Sequence, residues 1–379
     1  MRIGILTHNY PINSKERKDA GIFVYDFANE LAKHAEVSVF CPDFGGKKEI
    51  YKNVPVTWFD WGGSKTKFGN WPVFSPFSIF NFFKLLFIGS AKAEEFVKKN
   101  KIDLCLAAWV IPSAIFALWV KVRLGVSYFV WILGSDVNKY AKLPILRQLA
   151  TVSLRKADRR FANSYWLIDI IEKISGEKCD YMDAITNFNV EEVKPRELNK
   201  NIFNFLFVAR LEKVKGPDVL INACIELKKV RSDFRLHILG DGSMRNMLEK
   251  IIEKNGLEHN IYFYGNASKD DVASFMKAAD CLIVASRTES IPLVMVESAR
   301  VGLAVISTDV GDCRRVISKY NIGYVVKNED PIDMSEAMHR VVEEGKSFKE
   351  KRYKGLMQLS KDRSQKVAVG TFLSKVNEK

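Results

Sequence analysis

The sequence predicts an α/β protein built from two doubly wound, parallel-sheet domains. In both halves of the chain, short apolar runs typical of buried strands alternate with amphipathic helical segments. This alternation restarts after residue 200, beyond a polar segment. The 379 residues are enough for two domains of ordinary size, each with its own core.

The N-terminal half opens with a βαβ unit. Residues 2–6 form an apolar run, residues 23–32 have helical periodicity, and residues 36–40 form the next apolar run. Such a unit begins a parallel sheet. The loop before the helix ends in Gly21, and a glycine directly before a helix lets the backbone approach a ligand closely. An ordinary helix start explains Gly21 equally well.

A second loop of interest contains Asp136. It follows the apolar strand that begins at Tyr128, and open α/β sheets bind ligands at the carboxyl ends of their strands. Asp136 therefore suits a polar contact to a ligand, although local capping of a turn explains it as well.

We predict the following domain boundaries from changes in composition. The N-terminal domain covers residues 1–190, and the polar segment 191–200 is the linker. The C-terminal domain covers residues 201–355. Residues 356–379 form a charged helical segment that packs back across the domains.

The formal net charge of +13 lies mostly in the N-terminal half, with about +8 in residues 1–190. No nucleic-acid-binding motif accompanies this charge, so we expect no nucleic acid partner. Residues 44–92 carry seven lysines and two acidic residues, and residues 71–87 contain seven aromatic rings. Two explanations stay open for residues 71–87: packing in the core, or contact with an anionic membrane surface.

Several classes of protein are disfavoured. The six cysteines are scattered, which indicates reduced packing residues, and no metal-binding motif is present, so we expect neither a metal nor a cofactor. The uncharged stretch 104–120 is divided by Pro112, which favours a strand and a helix over a membrane span. Without a signal-peptide pattern before the first strand, we expect a cytoplasmic protein.

The C-terminal half places two cations in one strand-to-helix loop. Residues 203–209 form a strand, and Arg210 and Lys215 follow it. Arg as a planar fork and Lys as a point charge can both bind one diphosphate. The next strand ends in a turn with Gly242, which opens another helix.

The stretch 281–302 contains the most informative pattern. It predicts a strand, a turn and a helix that starts after Glu289, with Glu297 about a turn and a half further in. A helix start favours a phosphate, and carboxylates accept hydrogen bonds from sugar hydroxyls. Such a combination suits a nucleotide-sugar, but an ordinary βα turn with two solvated glutamates is the alternative.

Three motifs together resemble the family-4 retaining glycosyltransferases. Glu289 and Glu297, with seven residues between them, resemble the E-x7-E signature, and Arg210 with Lys215 and Gly216 resembles the R-x4-K-G motif. Residues 261–265 resemble the V-x-F-x-G turn of the family. The resemblance implies the GT-B fold: two Rossmann-like doubly wound domains facing a cleft, the N-terminal one on the acceptor side.

The resemblance also implies roles for individual residues. The first glutamate contacts the donor sugar, the second holds the nucleotide ribose, and the two cations bind the diphosphate. The implied catalytic residues are Glu289, Arg210, Lys215 and Asp136. The implied donor-binding residues are Gly21, Arg210, Lys215, Gly242, Asn266, Ala267, Glu289, Ser290, Ile291, Leu293 and Glu297. The chain departs from the family at Leu133, where a histidine is usual, and at Ser290 and Ile291, where Gly and Phe are usual.

The function implied by the resemblance is hexose transfer with retention of configuration and without a metal. The donor is a nucleotide-diphosphate sugar, and the acceptor is a glycan or a lipid-linked molecule of cell-envelope or exopolysaccharide biosynthesis. The lysines and aromatic rings of residues 44–92 add the expectation of peripheral association with the inner face of the membrane. Two alternatives stay open: a nucleotide-sugar epimerase of the same fold, and a catalytically inactive module that binds nucleotide-sugars or polyanions.

Overall fold

The computed structural model describes residues 1–12, 21–46, 48, 53–63, 75–134, 144–188 and 190–378. The chain divides into two compact units. The first unit comprises Met1–Asn187 with Gln365–Lys379, and the second comprises Phe188–Ser364.

The first unit contains a parallel sheet whose described strands lie in the order β3-β2-β1-β4-β5-β6-β7. The strands are β1 Arg2–Leu6, β2 Glu36–Pro42, β3 Val56–Phe59, β4 Leu104–Ala108, β5 Ser127–Ile132, β6 Arg159–Ala162 and β7 Asp180–Tyr181. The helices are α1 Ile22–Leu31, α2 Pro76–Asn100, α3 Ile115–Leu124, α4 Pro144–Lys156 and α5 Tyr165–Ser175.

Strand β4 shows why these runs are continuously apolar. Alternate side chains of a strand point to opposite faces of the sheet. Leu104 and Leu106 join one hydrophobic layer, whereas Cys105 and Ala107 join the other. Because helices cover both faces, every residue of β4 is buried.

The uncharged stretch 104–120 is a strand followed by a helix, as predicted. Strand β4 and helix α3 are separated by the π-helical turn Val110–Ala114. In the parts of the chain listed above, none of the helices is both long enough and apolar enough to cross a bilayer.

The second unit contains another parallel sheet, and its described strands lie in the order β10-β9-β8-β11-β12-β13. The strands are β8 Phe203–Val208, β9 Phe234–Leu239, β10 Ile261–Phe263, β11 Cys281–Val284, β12 Val305–Thr308 and β13 Gly323–Val326. The helices are α6 Pro217–Lys228, α7 Arg245–Lys254, α8 Lys269–Ala278, α9 Leu293–Ala299, α10 Cys313–Tyr320, α11 Pro331–Glu344 and α12 Lys346–Asp362.

The last helix, α13, spans Gln365–Asn377 and belongs to the first unit, where it packs against α1. Phe372 of α13 contacts Phe27 of α1, with ring centroids 5.9 Å apart. Of the segment 356–379, the part up to residue 362 is therefore the end of α12 in the second unit, and the remainder lies mostly in the first.

The segment 191–200, predicted as a linker, is tied to the second unit by hydrogen bonds. Ser274 Oγ donates to Lys194 O at 2.8 Å, and Arg196 N donates to Ser274 O at 3.0 Å. Lys277 Nζ donates to Val193 O at 2.7 Å. The change between compact units lies at residues 187 and 188.

Both sheets reverse their strand order at one point. In the first unit this switch point lies between β1 and β4, and in the second between β8 and β11. The predicted fold class, two doubly wound α/β domains, is confirmed. In such sheets the loops at the carboxyl ends of the strands beside the switch point form the ligand site.

Candidate functional site

The switch point of the second unit brings two predicted motifs together. Because β8 and β11 are neighbours, the loops that follow them lie side by side although they are about 75 residues apart in the chain. Lys215 Nζ forms an ion pair with Glu289 Oε1, and Ser286 Oγ donates to the same oxygen at 3.0 Å. Both charged side chains are partly buried. The pairing of the R-x4-K-G loop with the first glutamate is thus a feature of the folded unit.

Arg287 joins these two loops, and we call its ion pair with Asp218 the clamp. Its guanidinium donates to both carboxylate oxygens of Asp218 at 2.8 and 3.0 Å, and to Lys213 O at 2.6 Å. Its backbone N–H donates to Val214 O at 2.8 Å. Nε of Arg287 also donates to Glu329 at 2.6 Å. The short 3-10 turn Lys213–Lys215 is therefore fixed from outside, which holds Lys215 toward Glu289.

The charge state of the clamp follows from these contacts. Burial alone would raise the pKa of Asp218, but hydrogen bonds from Arg287 and Lys213 outweigh it and lower that pKa to about 2. The hydrogen bonds to Asp218 raise the pKa of Arg287. Both groups are therefore charged at neutral pH.

A third loop, after β9, is joined to the Arg210 loop through its backbone. Leu211 N donates to Asp241 O, and Met244 N donates to Leu211 O, both at 3.0 Å. A Cβ on Gly242 would lie 2.6 Å from Leu211 O, so glycine is required for this close approach. Close packing against Leu211 thus explains why residue 242 is a glycine. Its donor-binding role stays a prediction.

Glu212 strengthens the same junction. It accepts hydrogen bonds from Ser243 N at 3.1 Å and Ser243 Oγ at 2.7 Å, which lower the pKa of its carboxyl. Arg210, two residues earlier, is exposed. Its side chain is available on the loop that carries Lys215.

Asn266 and Ala267 lie in the loop after β10. Gly240 N donates to Gly265 O at 2.7 Å, which links this loop to the one after β9. Asn266 is exposed and Ala267 is half-buried against the core. The loop ends at Ser268, whose side chain caps α8 through Asp271.

Glu297 lies on α9 and is partly buried. The helix begins at Leu293, with Pro292 as its N-cap residue, and is shorter than the sequence predicted. Ser290, Ile291 and Leu293 are also partly buried, so the described stretch after Glu289 borders the surface.

The loop after β12 was not predicted as part of the site. Gly311 has a φ of +52°, and a Cβ there would lie 2.2 Å from Glu289 O and 2.4 Å from Ser290 O. Asp312 N donates to Ser290 O at 3.0 Å. This loop therefore supports the backbone of the first glutamate. Its sequence signal was only a glycine after a strand, which also fits an ordinary turn.

Two other predicted residues are not among those that the structure brings to this switch point. Gly21 belongs to the first unit, where a Cβ would lie 2.3 Å from Asn9 O, so its close approach is to the chain itself. Asp136 lies outside the described residues, as does the segment 13–20. Leu133, the departure from the family pattern, is partly buried against the core of the first unit.

The first unit has a small pocket at the carboxyl ends of its first three strands. The pocket is lined by His8, Asn9, Tyr10, Ile12, Cys41, Pro42, Phe44, Gly45 and Trp58. The ring of His8 lies 4.6 Å from that of Trp109, which follows β4. Burial lowers the pKa of His8 to about 3, so this imidazole is neutral at neutral pH. Sequence reasoning did not single out His8.

All six cysteines are free and buried. Burial raises the pKa of Cys105 to about 12, which makes its thiol unreactive. Among the described residues, no group of three or more His, Cys, Asp or Glu side chains is placed to hold a metal ion.

Comparison with known proteins finds a family match in the second unit. Residues 189–355 match the family described as Glycosyl transferases group 1. The second unit is thus similar to a group 1 glycosyltransferase domain. An uncharacterized glycosyltransferase of Methanocaldococcus jannaschii is 27% identical over 267 residues, which cover 67% of this chain and 72% of that protein. Several other curated relatives align over only about a third of their own length.

Solved structures resemble the whole chain in fold. A sucrose-phosphate synthase from Thermosynechococcus elongatus superposes with a TM-score of 0.77 at 15% identity, covering 100% of this chain and 98% of that one. The Anabaena protein HepE in complex with UDP superposes with a TM-score of 0.76 at 15% identity and full coverage of both chains. The residues that match the group 1 family thus lie in a chain with the GT-B fold, which has two α/β units.

Proposed function

We propose that the chain is a retaining, metal-independent glycosyltransferase that transfers a hexose from a nucleotide-diphosphate sugar to a glycan or lipid-linked acceptor of cell-envelope or exopolysaccharide biosynthesis. The observation that carries this proposal is the ion pair between Lys215 and Glu289 at the switch point of the group 1 domain. It places a cation and a carboxylate beside each other where open α/β sheets bind ligands.

Lys215 exchanges partners when the donor binds. Its ammonium leaves Glu289 and binds the diphosphate, together with the exposed Arg210 of the same loop. As the bond between the anomeric carbon and the diphosphate breaks, negative charge develops on the leaving oxygen. Two fixed cations stabilise that charge, which is commonly the largest single contribution to catalysis. They take the place of a divalent metal in this scheme.

Glu289 positions the sugar and does not attack it. Once released from Lys215, its carboxylate accepts hydrogen bonds from sugar hydroxyls while Ser286 Oγ holds it in place. The Gly311 loop supports its backbone. The acceptor hydroxyl bonds to the anomeric carbon on the face from which the diphosphate leaves, and its proton passes to the leaving diphosphate oxygen. The anomeric configuration is thereby kept without a covalent intermediate. Glu297 binds the ribose of the donor, and Asn266 and Ala267 lie beside the base.

Support for a nucleotide donor comes from fold likeness. The Anabaena protein of this fold has been crystallised with UDP. Our proposal extends that ligand class to this chain, because the cations, the first glutamate and the supporting loops are all present in its group 1 domain.

A panel of UDP-, GDP-, ADP- and dTDP-sugars, each incubated with the enzyme and a mixture of candidate acceptors, tests the proposal. We expect one nucleotide class to release its diphosphate, equally fast with and without EDTA, and NMR of the product to show the donor's anomeric configuration. Product of inverted configuration, or loss of turnover in EDTA, contradicts the mechanism. Epimerised donor formed without acceptor supports the epimerase alternative, and binding without turnover supports the binding module.

A further inference from the structure

Helix α2 presents a row of phenylalanines to solvent. Phe77, Phe80, Phe83 and Phe87 are 66%, 68%, 47% and 74% exposed. Their spacing of three, three and four residues places them on one face of the helix. At 1.5 Å per residue the row is about 15 Å long. We call these four residues the phenylalanine face.

The opposite side of α2 packs into the hydrophobic core of the first unit. Phe82, Leu85 and Leu86 are buried in the hydrophobic layer on that side of the sheet. Gly89 lets α3 approach closely, since a Cβ there would lie 2.5 Å from the ring of Phe116. Packing of α2 against its own unit thus leaves the phenylalanine face exposed to solvent. Rows of exposed aromatic side chains are rare on soluble proteins.

The charged residues of the sequence around this face are of one sign. Residues 61–93 contain four lysines and no acidic residue. Lys84 lies on α2 between Phe80 and Phe87, and its amine donates to Gly62 O. Further along α2, where Glu94 binds Lys98 and the indole N–H of Trp119, charged pairs replace the aromatic rings.

We propose that the phenylalanine face docks the enzyme onto an anionic lipid bilayer. An amphipathic helix lying in the interface buries its aromatic face among the acyl chains while nearby lysines meet anionic headgroups. A second copy of the chain fits less well, because it would bring the same lysines to the contact and no acidic residue within 61–93 to pair with them. The four lysines in this part of the sequence favour binding to anionic lipid over self-association.

Vesicle flotation tests this docking without any use of catalysis. The wild-type protein is mixed with vesicles of phosphatidylcholine alone, or with 30% phosphatidylglycerol, at low and high salt. We expect at least about tenfold greater retention on the anionic vesicles, lost largely at about 1 M salt because charges are then screened within about 3 Å. Equal retention on both vesicles overturns the proposal.

Two double variants test whether retention on vesicles depends on the phenylalanine face or on exposed apolar side chains in general. Phe80→Ser with Phe87→Ser removes its most exposed rings, whereas Val230→Ser with Ile332→Ser removes side chains of similar exposure, 68% and 59%, from the second unit. We expect the first pair to lower retention on anionic vesicles about tenfold or more and the second pair to leave it unchanged. Equal behaviour of the two pairs contradicts the proposal.

A third variant and one solution measurement complete the test. Lys84→Glu with Lys92→Glu is expected to abolish the preference for anionic lipid. Unchanged preference contradicts the role of these lysines. Light scattering of the wild type and of Phe80→Ser with Phe87→Ser reports whether the face joins two copies of the chain. A wild-type dimer that becomes monomeric in this variant, with no flotation of either protein, would show a contact between copies and overturn the proposal. Donor binding, measured on the same preparations, reports on the proposed function independently.

Discussion

The two units have the same kind of switch point, but the described side chains beside it differ. Beside β8 and β11 the second unit has Lys215 paired with Glu289. Beside β1 and β4 the first unit has His8 against Trp109, with the imidazole held neutral by burial. Among the residues that the structure describes, a cation and a carboxylate pair at one edge, whereas aromatic rings and a neutral imidazole lie at the other. Topology thus determines where a ligand binds, and the loop residues determine which ligand.

Loss of the lysine should have the largest effect. We expect Lys215→Ala to lower the turnover of donor by roughly 10²–10³-fold, because one fixed charge at the leaving group is removed. The measurement is release of nucleoside diphosphate at saturating donor. Lys213→Ala is the matched control in the same turn, since its exposed ammonium binds Asp218 and not Glu289.

The comparison between switch points adds a second control. His8→Ala in the first unit should leave donor affinity unchanged. If His8→Ala weakens donor binding as much as Lys215→Ala does, then the division of chemistry between the two edges is wrong.

Removing the second glutamate should have the next largest effect. Glu297→Ala is expected to weaken donor binding by about 1–3 kcal/mol, since charge-assisted hydrogen bonds to the ribose are lost. Calorimetry with the donor measures this, and Glu253→Ala on α7 serves as a control on another helix of the same unit. An unchanged affinity in Glu297→Ala rules out the ribose contact.

Alanine substitution of two glycines tests whether the Gly311 loop supports the backbone of Glu289. Gly311 and Gly125 both have positive φ, at +52° and +73°, so alanine strains both by roughly 1–2 kcal/mol. Only at Gly311 does the new Cβ meet other backbone, that of Glu289 and Ser290; at Gly125 nothing lies within 4 Å. We expect Gly311→Ala to weaken donor binding about tenfold and Gly125→Ala to leave it unchanged. Equal donor affinities in the two variants would exclude a supporting role for the Gly311 loop.

The smallest effect concerns acid stability. The pKa of Asp218 is lowered to about 2 in the folded protein, against about 3.9 for a free aspartate. Its ion pair therefore stabilises the fold above about pH 4, and this contribution is lost as the pH falls toward 2. Because solvent still screens this partly buried pair, we expect a contribution of about 1 kcal/mol, which corresponds to about 2–4 °C in Tm for a domain of this size.

Thermal melts of wild type and Asp218→Asn test this dependence. The wild type should melt higher between pH 5 and 7, and the two curves should converge between pH 4 and 2. A constant difference across this range would show that the effect does not come from ionisation of Asp218.

The sequence predicted the fold for a physical reason, because apolar runs of strand length alternate with helices. The assignment of Arg210, Lys215 and Glu289 to one site came instead from the resemblance to a family, and the structure pairs Lys215 with Glu289. The clamp between Arg287 and Asp218 was not predictable, because either residue alone fits a solvated surface charge.

Other features depend on which face of an element meets the core. Periodicity in α2 could not tell the buried side from the exposed one, since Phe82 and Phe80 are equally apolar. The position of α13 in the first unit is set by Phe372 packing on Phe27, a contact between the two ends of the chain. The need for glycine at residue 311 arises from a backbone 22 residues earlier.

The most direct test of the central claim is calorimetry of nucleoside diphosphates and monophosphates with wild type, Lys215→Ala and Lys213→Ala. If the β8–β11 switch point binds the donor diphosphate, the wild type prefers one diphosphate over its monophosphate, and Lys215→Ala loses about tenfold or more of that preference while Lys213→Ala keeps it. Equal binding of both phosphates by all three proteins would contradict the account, because the diphosphate would then not lie against Lys215.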